Sequence, residues 1–285
     1  MGNIPIRSIT ATRGELNLQE SFNIRNIEDL LAGEDMVQEL HRHDFFYMLA
    51  LEKGTGKHEI DFNPYPVSDN SVFFMRPGQV HQLVLKAGSS GFLMEFKTDF
   101  YHPHDKLSNQ VLRKASNVNH YSFDDPRFKK LHALLTYISQ EYIEKQENYA
   151  EVIKANLGIF LIELVRQNNS KPSNNLNSYA QERLEELLEL LESQISNHKQ
   201  VATYAGLLNL SPYQLNAITR ETLGKTCSEL INEHIILEAK RYLLATSDQI
   251  NQIAYHLGYE DVSYFIRFFR KHTGFSPEAF RHNFR

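Results

Sequence analysis

A chain of 285 residues exceeds what one small core requires, and 41% hydrophobic residues with 11% aromatics exclude a disordered or fibrous protein. A single cysteine, Cys227, rules out an intrachain disulfide and fits a reducing compartment, and no apolar run approaches membrane-spanning length. The net charge of −5 hides an asymmetry: residues 195–285 carry 10 Lys and Arg against 8 Asp and Glu, whereas residues 1–194 carry 20 against 27. The opening MGNIPIRSIT has neither a charged leader nor an apolar signal core, and Ile6 stands where a myristoylation pattern wants Ser or Thr. A cytoplasmic location is the expectation.

Residues of roughly 10–100 read as β-rich. In YMLALEKGTGKHEIDF an apolar run meets Gly54-Thr55-Gly56, a hairpin turn, and a second strand follows. SVFFMRPGQVHQLVL and SGFLMEF add short apolar runs broken by Pro-Gly and Gly-Ser. Many short strands with evenly spaced turns predict a small barrel or sandwich. Around residue 126 the period changes. Phe128, Leu131, Leu134, Leu135, Ile138 and Tyr142 recur at three and four, after Asp125 and Pro126 at a helix start, and Ile153, Leu157, Phe160, Leu161 and Leu164 form a second stripe. Two readings of this helical pair stand side by side: a cover for the barrel, or a dimer interface across a two-fold axis.

The stretch QNNSKPSNNLNSYA, 167–180, is Asn- and Ser-rich with Pro172 and reads as a linker. The expected division is therefore a barrel domain at 1–125, a helical pair at 126–166, a linker at 167–180 and an all-helical domain at 181–285. ERLEELLELLESQI opens that last domain as an amphipathic helix. Behind it lies a repeat. VATYAGLLNLSPYQLNAITRETLG, 201–224, aligns with INQIAYHLGYEDVSYFIRFFRKHTG, 250–274. Ala205 matches Ala254 and Leu208 matches Leu257; after the turn Leu215 matches Phe265, Arg220 matches Arg270 and Gly224 matches Gly274. Asn209 and Gly258 sit where a turn needs left-handed backbone angles, Ser211 and Asp261 are N-caps, and Gly224 and Gly274 are stops. The pattern is helix-turn-helix, used twice.

On a helical wheel about Phe265, Val262, Phe268, Phe269 and His272 fall on the core side, and Ser263, Arg267, Arg270 and Lys271 on the far side with Tyr264 at the edge. In the first copy Leu215, Ile218, Thr219 and Thr222 face inward, and Tyr213, Asn216, Ala217 and Arg220 outward. An apolar anchor with an outward face of Arg and hydrogen-bonding groups is what a recognition helix needs to meet base edges and phosphates. Between the copies SELINEHIILEAKRYLLATS, 228–247, reads as one uninterrupted helix. It would fix the two units so that they meet successive major-groove faces about 34 Å apart.

The second unit resembles the signature of the AraC family of bacterial transcription regulators. The matching residues are Ile253-Ala254, Leu257-Gly258-Tyr259, Ser263-Tyr264-Phe265, Arg267, Phe269-Arg270-Lys271, Gly274, Ser276-Pro277 and Phe280-Arg281. The resemblance covers about 180–285. It implies a seven-helix DNA-binding domain, with base-facing positions at Val262, Ser263, Ile266 and Arg267 and at Tyr213, Asn216 and Ala217. The full candidate DNA-contacting set adds Gln214, Arg220, Tyr264, Arg270 and Lys271. Many relatives carry Arg where this chain has Ala217 and an aromatic where it has Thr219, so the second unit is expected to carry more of the sequence reading.

HRHDFFYMLALEKGTG, 41–56, followed by PGQVH, 77–81, resembles the two halves of a cupin motif. In catalytic cupins such histidines bind a metal with a carboxylate shortly after the His pair; here Phe45, Phe46, Tyr47 and Met48 follow, and the first acid is Glu52. His41, His43 and His81 are read in three ways: hydrogen-bonding groups at a barrel mouth, the lining of an effector pocket with Phe46, Tyr47, Phe74 and Met94, or ligands for Zn or Fe. The family's regulatory cupins usually lack metal, and no metal or cofactor is expected. His58 is expected on an outer strand face. Gly54-Thr55-Gly56-Lys57 is too short for a phosphate loop, and Cys227 reads as a packing residue with no catalytic partner.

The expected fold class is α+β and multidomain, with an N-terminal cupin-like β-barrel, a helical pair, and a C-terminal all-α domain of two helix-turn-helix units. The expected function is a sequence-specific regulator of transcription, by family habit an activator. Its expected partners are double-stranded DNA, a small-molecule effector, a second copy of the chain and RNA polymerase, with no membrane. The rival expectation is a metal-dependent cupin enzyme with an accessory helical domain.

Overall fold

A computed structural model describes residues 6–7, 21–101, 106–169 and 178–284. The chain divides into two compact units, within residues 5–172 and 173–285. Of the stretch expected as a linker, 170–177 lies outside the described residues; its flanks are the last turn of one helix and the first turn of the next.

The N-terminal unit contains β1 (Ile6–Arg7), β2 (Phe22–Asn26), α1 (Ile27–Leu31), β3 (Met36–His43), β4 (Phe46–Lys53), β5 (Gly56–Ile60), β6 (Asn63–Val67), β7 (Ser71–Met75), β8 (Val80–Leu85), β9 (Ser90–Phe96), α2 (Lys106–Ser116), β10 (His120–Ser122), α3 (Asp125–Glu144) and α4 (Tyr149–Asn169). The strands form two five-stranded sheets, in the orders β1-β3-β8-β5-β6 and β10-β7-β4-β9-β2. Side chains alternate across each sheet. Tyr47, Leu49 and Leu51 of β4, Phe73 and Met75 of β7 and Leu93 of β9 point between the sheets, where they meet Ile60, Leu83 and Leu85 of the opposite sheet. Their neighbours Phe46, Met48, Val72, Phe74, Phe92, Met94 and Phe96 point the other way, onto Phe128, Leu131, Leu135 and Ile138 of α3 and Leu157, Phe160, Leu161 and Leu164 of α4.

The second sheet is thus apolar on both faces, which is why its strands read as unbroken hydrophobic runs rather than alternating ones. The helical pair covers the barrel sheet, as one of the two sequence readings had it. It also leaves Tyr137, Ile143, Ile159 and Ile162 exposed. α3 begins on Asp124, whose side chain accepts from the Arg127 N–H, with a proline in its first turn.

The C-terminal unit is seven helices among the described residues: α5 (Ser178–Gln194), α6 (Val201–Leu207), α7 (Pro212–Leu223), α8 (Cys227–Ala245), α9 (Ile250–His256), α10 (Val262–Thr273) and α11 (Pro277–Phe284). The pairs α6–α7 and α9–α10 are the two repeats, with α8 between them. Both turns carry the left-handed residue that the repeat predicts, Asn209 at φ 55° and Gly258 at φ 72°. The two are not equivalent. A Cβ on Gly258 would lie 1.8 Å from the Ser196 carbonyl oxygen, so the second turn is pressed against the loop after α5. Lys199 seals that contact: its ammonium donates to the Gly258 carbonyl at 3.0 Å and sits 4.9 Å from the Tyr259 ring.

Two substitutions separate steric closeness from backbone angle. Gly258→Ala is expected to destabilise the chain by more than about 2 kcal/mol, because backbone must move as well as strain. Asn209→Ala meets the left-handed angle without that contact and is expected to cost only about 1 kcal/mol. Urea denaturation followed by far-ultraviolet circular dichroism reads both, and equal effects would show that the Ser196 contact is immaterial.

Candidate functional site

The second repeat builds its outward face from its anchors. Asp261 caps α10, its Oδ1 accepting from the N–H groups of Ser263 at 2.8 Å and Tyr264 at 3.2 Å. Phe265 and Phe269 are fully buried. The Phe265 ring lies 5.4 Å from Tyr259, and the Phe269 ring 5.5 Å from Phe280 on α11. With that side fixed, Ser263, Tyr264, Arg267, Arg270 and Lys271 are exposed, and Val262 and Ile266 lie half-buried at the flank. His272, expected on the core side, is instead exposed and rests its ring 4.6 Å from Phe268. At the last turn of a helix a polar ring gains more from water than from the core's edge.

Arg267 is 69% exposed, with a guanidinium nitrogen 3.9 Å from the second Asp261 carboxylate oxygen. An ion pair this open is worth little in water and is readily exchanged for another acceptor. Among the described residues Arg270 and Lys271 make no ion pair.

The first repeat has the same frame and a different face. Ser211 and Gln214 form a capping box, and Leu215, Ile218 and Thr219 are buried. Tyr213 is 84% exposed, and Ala217 and Arg220 stand outside with it. Two of the expected contact residues are already committed within the fold. The Gln214 side-chain oxygen accepts from the Ser211 N–H at 2.8 Å. Asn216 donates to the Pro212 carbonyl at 3.0 Å and accepts the Cys227 N–H at 3.0 Å, tying α7 to the first residue of α8. The outward groups left are a phenol, a methyl and one guanidinium. They border an open concavity of about 620 Å³, shared with Thr226 and Ser228. Cys227 is buried, and burial pushes its thiol up to about 11, in keeping with a packing role.

In the N-terminal unit, His41 and His43 point inward from β3 and His81 from β8, all buried. The His43 and His81 Nε2 atoms are 2.8 Å apart, and those of His81 and His41 3.0 Å. His58 joins them, correcting the outer-face expectation. It is fully buried, and its Nε2 lies 2.8 Å from His81 Nδ1. The register of β5 explains it: Lys57 and Glu59 face out, so His58 and Ile60 must face in. Burial, reinforced by His120 and His41, holds His58 down to about 3, so its ring is neutral.

Of the residues expected beside these histidines, Tyr47 is there, stacked on His43 with ring centres 5.1 Å apart. Phe46, Phe74 and Met94 are not. They lie on the opposite face of their sheet, under α3 and α4, because residues 46 and 47 of one strand cannot share a face. His41, His43 and His58 each bring a ring nitrogen within 3.0 Å of His81, so the four buried rings form one packed group. A groove of about 500 Å³ opens elsewhere in this unit, where Arg25, Asn26, Asp29 and Phe92 face Thr136, Ser139 and Gln140 of α3. Arg25, on its lining, is paired with Glu95 at 3.0 Å. No motif marked it in the sequence, since its lining is drawn singly from several elements.

Two family models match the chain: a helix-turn-helix domain over residues 204–283 and an AraC-like ligand binding domain over residues 31–106. Curated relatives include the HTH-type transcriptional activator RhaS of Enterobacter sp. (strain 638), 23% identical over 244 residues, covering 85% of this chain and 86% of that protein. The protein of the same name from Pectobacterium atrosepticum is 25% identical over 260 residues, covering 85% and 87%. Among solved structures, ToxT from Vibrio cholerae O395 is 17% identical with a TM-score of 0.43, over 92% of this chain and 97% of that one. The two curated relatives are named as transcriptional activators, not enzymes, and neither supports the metal-dependent enzyme reading. The chain belongs to the AraC family: it is a DNA-binding transcription regulator with an N-terminal ligand-binding domain and a C-terminal helix-turn-helix domain.

Proposed function

We propose that the chain is a sequence-specific activator in which α10 carries most of the base reading and α7 mainly positions. The observation that supports this is the difference between two otherwise matched helices. On α10, Ser263, Tyr264, Arg267, Arg270 and Lys271 stand outside with few competing partners, whereas on α7 the side chains of Gln214 and Asn216 are engaged within the fold. Arg267 reads a base edge, with Val262, Ser263 and Ile266 beside it. Arg270, Lys271 and Arg220 hold phosphates. Tyr213 and Ala217 supply apolar or single hydrogen-bond contacts in the adjacent groove face. Activation follows the relatives named as activators and implies contact with RNA polymerase.

Residues 1–125 form the sensor and 181–285 the DNA-binding domain, joined through 167–180. The pair at 126–166 serves a homodimer through the apolar residues it leaves exposed, Ile159 and Ile162 among them. The small-molecule effector occupies the groove between α3 and the start of the barrel, whose volume of about 500 Å³ suits a small ligand better than the closed histidine group does. No described helix is long and apolar enough to cross a membrane; a cytoplasmic site of action belongs to this proposal. An effector shifts DNA affinity only as far as it binds the two states unequally.

Electrophoretic or fluorescence binding to operator and random duplexes tests the assignment. Arg267→Ala is expected to cost about 1–3 kcal/mol on the operator and to relax base preference at one position; equal loss on both duplexes would make Arg267 a phosphate contact. Arg270→Ala and Lys271→Ala are each expected to weaken both duplexes alike and to lower the salt slope by about one. Asn216→Ala is expected to reduce thermal stability by roughly 1–2 kcal/mol while leaving the preferred operator sequence unchanged. A changed preference would return Asn216 to the reading face.

A further inference from the structure

We infer that the loop between α5 and α6, residues 195–200, braces the two repeats against each other, and that Lys199 is the positioning residue in it that sets α10 against α7 and so the operator spacing the chain accepts. The loop is held from both sides. On the side of the first repeat, α5 packs against α7, and the buried Tyr204 of α6 donates its hydroxyl to the His198 carbonyl at 2.8 Å. On the side of the second repeat, the Ser196 carbonyl stands where a Cβ on Gly258 would be, 1.8 Å from it. The Lys199 ammonium closes the join, donating to the Ser196 carbonyl at 3.3 Å and to the Gly258 carbonyl at 3.0 Å.

From that turn the connection to the outward face of α10 passes through one ring. Tyr259 follows Gly258 and is buried. The Lys199 ammonium lies 4.9 Å from its ring centre. On its other contacts the same ring is 5.4 Å from Phe265, the anchor of α10, and 5.9 Å from both Tyr264 and Phe268. Tyr264 is exposed beside Ser263 and one turn from Arg267. A change at Lys199 therefore reaches the side chains assigned to DNA without touching their own helix.

α8 also packs against both repeats, but contacts along one helix resist separation better than rotation about that helix. The loop joins the repeats away from that axis. The difference matters at the scale of DNA: over the span of about 34 Å between successive major-groove faces, a swing of about 10° moves a reader by about 6 Å, more than one base-pair step. No sequence pattern marks the brace, because Lys199 and Gly258 are fifty-nine positions apart. This inference rests on the reading of α7 and α10 as two contacts on one duplex.

The test uses the full-length chain and duplexes that it selects from a randomised pool. Inserting or deleting one base pair between the two contacted stretches shifts one of them by about 3.4 Å and about 35°. The parent chain is expected to bind the altered duplexes at least about tenfold more weakly than the selected one. Lys199→Met keeps the stem and removes the charge; it is expected to bring the three duplexes within about threefold of one another, with base preference inside each stretch as in the parent. Lys199→Arg donates to the same carbonyl and rests on the same ring, and is expected to restore the discrimination. Tyr204→Phe removes only the hydroxyl that holds the loop to the first repeat, and is expected to relax spacing in the same direction. Unchanged spacing discrimination in Lys199→Met, or in Tyr204→Phe where the first variant does not fold, overturns the inference. So does a uniform loss on every duplex with a lower salt slope, which would make Lys199 a phosphate contact. A parent chain indifferent to spacing would instead defeat the reading of two helices on one duplex, and the brace with it.

Discussion

Two phenylalanine rings one turn apart, Phe265 and Phe269, decide which way α10 faces. Both are fully buried, against Tyr259 on one side and Phe280 on the other. Burying each contributes roughly 1.5–3 kcal/mol. Rotating the helix enough to hide its arginines would expose both rings at once, so the basic face is outward because the aromatic face cannot be. The cap at Asp261 and the left-handed stop at Gly274 then fix where the helix begins and ends. In the first repeat Leu215 and Ile218 play the same part with less surface.

The two repeats share a backbone and have diverged in what their side chains are for. On α7 the polar groups that point sideways are spent on holding the fold: Gln214 closes a capping box, and Asn216 ties its own helix to the next. On α10 the cap needs only Asp261, and the rest of the face is left to solvent. An asymmetric reader follows, in which one helix sets geometry and the other supplies most of the chemistry. The Asp261–Arg267 contact is open to water on both sides and easy to break.

Much of this was legible in the sequence because its signals were local. Caps, stops and the left-handed residues at 209 and 258 depend on a few consecutive positions, and the repeat supplied them twice. The barrel was legible in kind but not in side-chain direction. An apolar run such as Phe46-Tyr47-Met48-Leu49 looks the same whether one face or both are covered, so Phe46, Phe74 and Met94 were grouped with histidines from which a whole sheet separates them. His58 had a usable signal in its alternation with Ile60 between Lys57 and Glu59, outweighed by the habit of placing a polar residue outside. The bond that Asn216 accepts from Cys227 had none, since that partner lies eleven positions on in another helix. The groove beside α3 had none for the same reason.

The sheet that carries Tyr47 and Phe46 on successive residues has a mechanical consequence. It is a single layer with rings packed hard against both sides, the histidine cluster beneath and the α3–α4 pair above. Densely packed interiors yield little volume, so a strand pushed from below has nowhere to go but upward. Side-chain volume added on the histidine face therefore has to be taken up, across a single sheet, by the packing of α3 and α4.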